Sequence, residues 1–314
     1  NDAAISDFRS GIDLIRNHMA KLYLDPDWSD AGPVSFFNAL NISGTAIPGS
    51  ADDLHFLGTA YLNVEESENS AASLERALHL TPFADWAVKD VSTLIELYGE
   101  LPIDDTLDRL DIPLDSNPGF LNPALRFLRG HVYARLARDV EALDDINLAV
   151  DLDPDNALYR AFLADFHRTT SSYDLASQNL ERSLTLDPEL AIAFYFRGLL
   201  HHDLGLYDKA IQDFDRAITL DPNRPDTHLG RAASNLKLGQ FEPAFIDLYA
   251  AVQLAPESHQ PLLLRAQAHL DLEQYDQAIQ DLNRTIYYTP QLGSAHVLRG
   301  QARLALQQND AAIS

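Results

Sequence analysis

Between Pro123 and Leu292 apolar residues recur every three or four positions, in runs separated by short polar stretches, the spacing of amphipathic helices rather than strands. The runs come in pairs, and each pair ends on a proline: Pro154, Pro188, Pro222, Pro256 and Pro290, 34 residues apart. Counted from Pro123, position 8 of each unit is Gly130, Ala164, Gly198, Ala232 and Ala266, and position 20 is Ala142, Ala176, Ala210, Ala244 and Ala278. Small residues at fixed offsets in paired helices mark where the two helices touch. Position 24 carries an apolar anchor: Ile146, Leu180, Phe214, Leu248 and Leu282. Triplets such as Leu152-Asp153-Pro154, Leu186-Asp187-Pro188 and Leu220-Asp221-Pro222 stop the second helix. The pattern predicts five consecutive helical hairpins over residues 123–292.

The same register opens earlier, at Ala51, with Gly58, Tyr61, Leu74 and Ala77 at positions 8, 11, 24 and 27, and closes at Pro82. Ser70 at position 20 is its departure. A last unit starts at Gly293, with Gly300 at position 8 and Ala312 at position 20, and the sequence stops at position 22. These residues resemble the tetratricopeptide repeat family, in its bacterial-type form with Arg-Gly and Asp, whose unit is a 34-residue helical hairpin. The resemblance implies an all-α, right-handed superhelical solenoid of such hairpins. Residues 85–122 read as a degenerate repeat with an insertion, helical from Ala84 to Tyr98, which divides the hairpin of residues 51–84 from the five of 123–292. Residues 25–50, rich in Pro, Gly, Ser and Asn around the apolar run Val34 to Leu40, read as a loop holding a short helix. Residues 293–314 supply the first half of a last repeat.

Position 7 holds Arg129, Arg197, Arg231, Arg265 and Arg299, and position 23 holds Asp145, Asp213, Asp247 and Asp281. Where position 7 is Leu163 or Leu57, position 23 is Asn179 or Ser73. The two positions change together, which predicts an Arg-to-Asp pair across each hairpin. Arg299 has no position-23 partner after it.

The segment Asn-Asp-Ala-Ala-Ile-Ser stands at residues 1–6 and again at residues 309–314. Continuing the repeat register through the first copy puts Asp7 at position 23, Phe8 at 24, Gly11 at 27 and Leu14 at 30. Residues 1–24 therefore read as a helix in the register of a second repeat helix. Three explanations stand: this helix completes the last repeat of a neighbouring molecule, or the chain is one register of a longer array with a period of 308 residues, or the natural chain starts at Met19, the only methionine, and ends with the helix written first. All three place Asp7 beside Arg299. In the first, Ile5, Phe8, Ile12 and Leu14 bury against Val297, Leu298 and Leu304, and copies join head to tail into filaments, tubes or rings.

The resemblance also implies a concave groove lined by first-helix positions 2, 5, 9, 12 and 13. The candidates are Phe127, His131, Tyr195, Leu199, His202, Leu229, Leu263, Gln267 and Val297. From Leu229 onward the groove turns apolar, with Leu236, Leu270 and Leu304 at position 12, residues that either line the groove or pack on the next helix. An adaptor gripping an extended or helical segment there is the alternative to self-assembly. The carboxylate clamp of related chaperone adaptors, Lys and Asn at positions 5 and 9, is replaced by Phe127 and His131, Ala161 and Asp165, and Tyr195 and Leu199. A regulatory arm of an enzyme encoded elsewhere is a third possibility.

Net charge is −24, from 47 acids against 23 bases, and no Lys or Arg run offers a phosphate-binding face, so nucleic acid is not the expected partner. The partner expected is protein, other copies of this chain first. There are no cysteines, and the compartment cannot be read from the sequence. No apolar stretch is long enough for a membrane span, and residues 1–17 do not resemble a signal peptide. Asn41-Ile42-Ser43 fits a glycosylation sequon. Asp104, Asp105, Asp108, Asp111 and Asp115 lack the alternating ligands and central glycine of a calcium loop. His167, His201 and His269 share position 11, a repeat apart, too far for one ion. Phosphate loops, metalloprotease helices and nucleophile elbows are missing, so neither cofactor, metal nor catalysis is expected.

Overall fold

The computed structural model describes residues 122–313 and, before them, Leu54, His55, Gly58, Thr59, Leu62, 67–80, 87–100, Thr106, Leu107 and Leu110. The expectations for residues 1–50 lie outside the described residues, Asp7 among them. Thirteen helices and no strand occur among the described residues. The chain divides into two compact units, Asn1–Pro154 and Asp155–Ser314. In the first, α1 (Ser67–Leu80), α2 (Ala87–Glu100) and α3 (Pro123–Arg135) pack on one another, and α4 (Asp139–Leu152) folds back on α3. In the second, hairpins α5 (Ala157–Thr169) with α6 (Tyr173–Leu186), α7 (Ala191–Asp203) with α8 (Tyr207–Leu220), α9 (Pro225–Lys237) with α10 (Phe241–Leu254), and α11 (His259–Asp271) with α12 (Tyr275–Tyr288) follow in order. Helix α13 (Gly293–Ile313) packs on α12 and α11. The fold is an all-α solenoid of helical hairpins.

The turns follow from backbone chemistry at two fixed positions. At position 15 the residue is left-handed in every complete hairpin: Ala137, Ser171, Gly205, Gly239 and Glu273, with φ between 55° and 73°. The next N–H then reaches back to the position-11 carbonyl, as Leu206 does to His201 (2.8 Å) and Gln274 to His269 (2.8 Å), capping the first helix. At the other end the residue before each proline leaves the helical conformation, fully extended at Asp187 (ψ 97°) and Asp221 (ψ 90°), because proline excludes that conformation from the residue before it. Asn156 then caps α5, its Oδ1 accepting the N–H groups of Leu158 and Tyr159.

Packing between the paired helices is set by positions 8, 20 and 24. All five position-20 alanines are fully buried. A side chain added at Gly130 would stand 2.7 Å from Ile146, one at Gly198 2.7 Å from Phe214, and one at Gly58 2.5 Å from Leu74. In these hairpins the second helix presses its position-24 side chain onto the backbone of the first. Ser70, at position 20 of the earliest hairpin, donates to the Gly58 carbonyl (2.9 Å) and so stays satisfied while fully buried.

Phe214 is the largest position-24 residue, and two glycines make room for it. One is Gly198 of its own hairpin; the other is Gly230 at position 6 of the next, where a side chain would stand 2.7 Å from the ring. Elsewhere position 6 holds Leu128, Phe162, Phe196, Leu264 and Leu298. Buried side chains of this size contribute about 1.5–3 kcal/mol each.

The last unit departs from the register. Position 15 there is Gln307, and α13 runs straight through it as helix where the five complete hairpins turn. A left-handed residue costs about 1–2 kcal/mol and is held by a second helix packing back. Gln307 takes the helical conformation instead.

Candidate functional site

Each position-7 arginine of a complete hairpin grips the position-23 carboxylate of its own hairpin with two nitrogens. Arg129 Nε and Nη2 donate to Asp145 at 2.6 and 3.1 Å, and Arg265 Nε and Nη2 to Asp281 at 2.8 and 2.6 Å. Arg231 holds Asp247 at 2.8 and 2.6 Å, and Arg197 Nη2 is 2.6 Å from Asp213. All four aspartates are buried, so each negative charge needs this fork. The hydrogen bond to Asp247 is the main reason that the Arg231 guanidinium is raised above its ordinary pKa. A second group joins three of the pairs: Arg126 on Asp145 (3.0 Å), His201 on Asp213 (2.7 Å) and His228 on Asp247 (3.0 Å). The position-11 histidines thus serve the hairpin: His269 Nδ1 meets Gln274 Oε1 at 2.7 Å.

The arginines also reach backward to position 25 of the preceding hairpin, which the sequence reading missed. Arg231 Nη1 donates to Asp215 (2.5 Å), the Arg265 guanidinium lies 4.5 Å over the ring of Tyr249, and Arg299 Nη1 donates to Asn283 (2.8 Å). Asp215 and Asn283, both polar at the same offset, were the available signal.

In the second unit successive first helices lie side by side. At the α5–α7 end Arg168 bridges Asp165 (2.8 Å) and Asp203 (2.6 Å), joining two repeats. Burial raises the Asp165 carboxyl above its ordinary pKa and does the same to the Tyr195 hydroxyl, which Asp226 and Asp165 raise further. His202 Nδ1 lies 2.8 Å from Ser234 Oγ, linking α7 to α9, and burial lowers its pKa. Ser234 donates its hydroxyl hydrogen to the Gly230 carbonyl (3.0 Å), so His202 donates from Nδ1. Leu199 and Gln267 are half-buried, Gln267 donating to Asp271 (2.9 Å).

Several expected groove residues are placed differently. Phe127 is fully buried, because position 5 of α3 faces the core of the first unit, and it lines no groove. Burial pushes His131 down to about 4, with Arg135 adding to the effect, so its imidazole stays neutral. Leu229 packs on the cluster of Ala232, Ala244 and Leu248, and Leu263 on Ala266, Leu282 and Ala295. Both are packing residues first, because the next first helix lies against position 5.

Helix α13 presents a different surface. Ala295 and Ala302 are buried and Leu298 packs on the preceding core, whereas Val297 is 60% and Leu304 58% exposed. A side chain added at Gly300 would meet nothing within 4 Å, on the same position-8 face that Ile146 and Phe214 press upon in other hairpins. Among the described residues no group of three His, Asp or Glu side chains could hold a metal, and no helix is long and apolar enough to cross a membrane.

Tetratricopeptide repeat family models match residues 191–224 and residues 263–314. These two spans are tetratricopeptide repeats. The matched spans contain the α7–α8 hairpin and the stretch from α11 through α13, whose small residues, arginine forks and prolines are described above. No curated protein matches the sequence. Tetratricopeptide solenoids among solved structures share the fold. A tetratricopeptide repeat protein from Parabacteroides merdae is 16% identical over 81% of this chain and 98% of its own, with a TM-score of 0.56. A chain of the APC/C hetero-tetramer Cut9–Hcn1 is 17% identical over 80% of this chain and 52% of its own (TM-score 0.63). Yeast Tom70 is 19% identical over 98% of this chain and 61% of its own (TM-score 0.56).

Proposed function

We propose that this chain is a non-catalytic protein-interaction scaffold whose copies join head to tail, residues 1–17 of one copy covering α13 of another to give a filament, tube or ring. One observation carries the reading: Gly300, at a position that a second helix presses upon elsewhere, faces open space between the exposed Val297 and Leu304. An apolar strip of this kind is stabilised by a partner. Residues 1–17 supply apolar residues in the matching register, Ile5, Phe8, Ile12 and Leu14. Light scattering over a concentration series tests it. The full chain is expected to gain mass with concentration, and a chain lacking residues 1–17 to stay at single-chain mass; unchanged association after the deletion sinks the reading.

The second reading, an adaptor holding a peptide against the first helices of the second unit, draws on the half-buried Tyr195, Leu199 and His202 beside the Arg168 bridge. Leu229→Glu or Leu263→Glu would test packing rather than binding. Leu199→Arg with His202→Ala is the suitable pair: a partner retained at full affinity by that variant does not sit there.

A further inference from the structure

We infer that Arg299 and Gly300 form a two-residue reader on α13 that selects its covering segment by an aspartate followed by a large apolar residue, and that Asp7-Phe8 of a second copy is that pair. The inference rests on the head-to-tail reading and names the contact that makes it specific. Arg231 shows how the reader works. Its Nη1 reaches back to Asp215 at position 25 of the preceding hairpin, while its Nε and Nη2 hold Asp247 of its own. Arg299 makes the first half of that arrangement, Nη1 to Asn283 at 2.8 Å, and its Nε and Nη2 have no carboxylate among the described residues. A guanidinium half-held in this way favours a carboxylate in the bidentate geometry that four other hairpins show.

Gly300 supplies the second half of the selection. In α3 and α7 the position-8 glycine lies under the residue that directly follows the paired aspartate: Ile146 after Asp145, and Phe214 after Asp213. The covering segment therefore needs Asp and a large apolar residue in succession, with a small residue three positions before the Asp, like the fully buried Ala142 and Ala210. Ala4, Asp7 and Phe8 have those types at those spacings. With 47 acids in the chain, charge alone would not fix a register. The apolar neighbour over a bare backbone does, because a shift by one residue puts a polar side chain in the slot and leaves the guanidinium unpaired.

Charge reversal in the full chain tests the inference, read by light scattering across concentrations. Arg299→Asp and Asp7→Arg are each expected to weaken association at least about tenfold, and the two together to recover to within about threefold of the parent. Gly300→Leu fills the slot and is expected to abolish association while leaving helical circular dichroism unchanged, since nothing lies within 4 Å of the added side chain. Single reversals that associate like the parent, or a double reversal no tighter than the singles, overturn the reader and leave head-to-tail joining in place. A parent chain that stays monomeric at every concentration overturns both.

Discussion

The guanidinium of Arg265 lies 4.5 Å over the ring of Tyr249, a residue of the preceding hairpin, while its fork holds Asp281 of its own. One side chain thus fixes both the inside of a repeat and its seat on its neighbour. Tyr249 is 53% exposed, so its stacking contributes at the modest end. Tyr249→Ala is expected to cost about 0.5–1 kcal/mol, read from urea unfolding of the full chain.

Breaking the fork itself costs more. Arg265 and Asp281 are both buried, and Asp281→Ala leaves a buried guanidinium without its carboxylate. About 3–5 kcal/mol is expected from the single change. Replacing both partners, Arg265→Met with Asp281→Leu, is expected to cost less than Asp281→Ala alone, because no uncompensated charge remains. A double variant as unstable as the single one would assign the fork a net stabilising role.

Glu273 is the most polar residue in a left-handed position, with φ at 58°, where two other hairpins use Gly205 and Gly239. Glycine reaches that region without strain but enlarges the freedom of the unfolded chain, and the two effects partly offset. Glu273→Gly is expected to raise stability by about 0.5–1 kcal/mol, a shift that thermal unfolding would register.

In the first unit Asp90 is buried, with Oδ1 2.7 Å from His55 Nδ1 and Oδ2 without a hydrogen-bond partner. Burial pushes its carboxyl up to about 6, against the lowering influence of His55. The folded state therefore keeps a proton that the unfolded state releases, and stability from this group falls as pH rises from about 4 to about 6. Asp90→Asn is expected to remove that fall and to gain on the order of 2 kcal/mol at neutral pH. Urea midpoints measured at intervals across this window check it; a parent chain with a flat profile overturns it.

The hairpins were legible because three physical constraints repeat every 34 residues: small residues where backbones touch, an anchor opposite them, and a proline that ends the pair. Arg265 and Asp281 could be read as partners because positions 7 and 23 vary together. The backward reach to Tyr249 could not, since Asp215, Tyr249 and Asn283 answer the same guanidinium with three different chemistries. Phe127 was misread as a groove residue because position number places a residue on a helix face without saying what covers that face. Gln307 shows the same limit: the register asks for a turn there, and α13 stays helical through it.

Phe214 draws its room partly from Gly230, and that shared space limits how far these repeats behave as interchangeable parts. Excising residues 225–258, one whole period, would preserve the register and every internal fork of the remaining hairpins. It would also bring Leu264 to the site where Gly230 now yields to the ring. A gene that gains or loses single repeats by recombination therefore inherits a junction mismatch at this point, and the order of neighbours is itself encoded information.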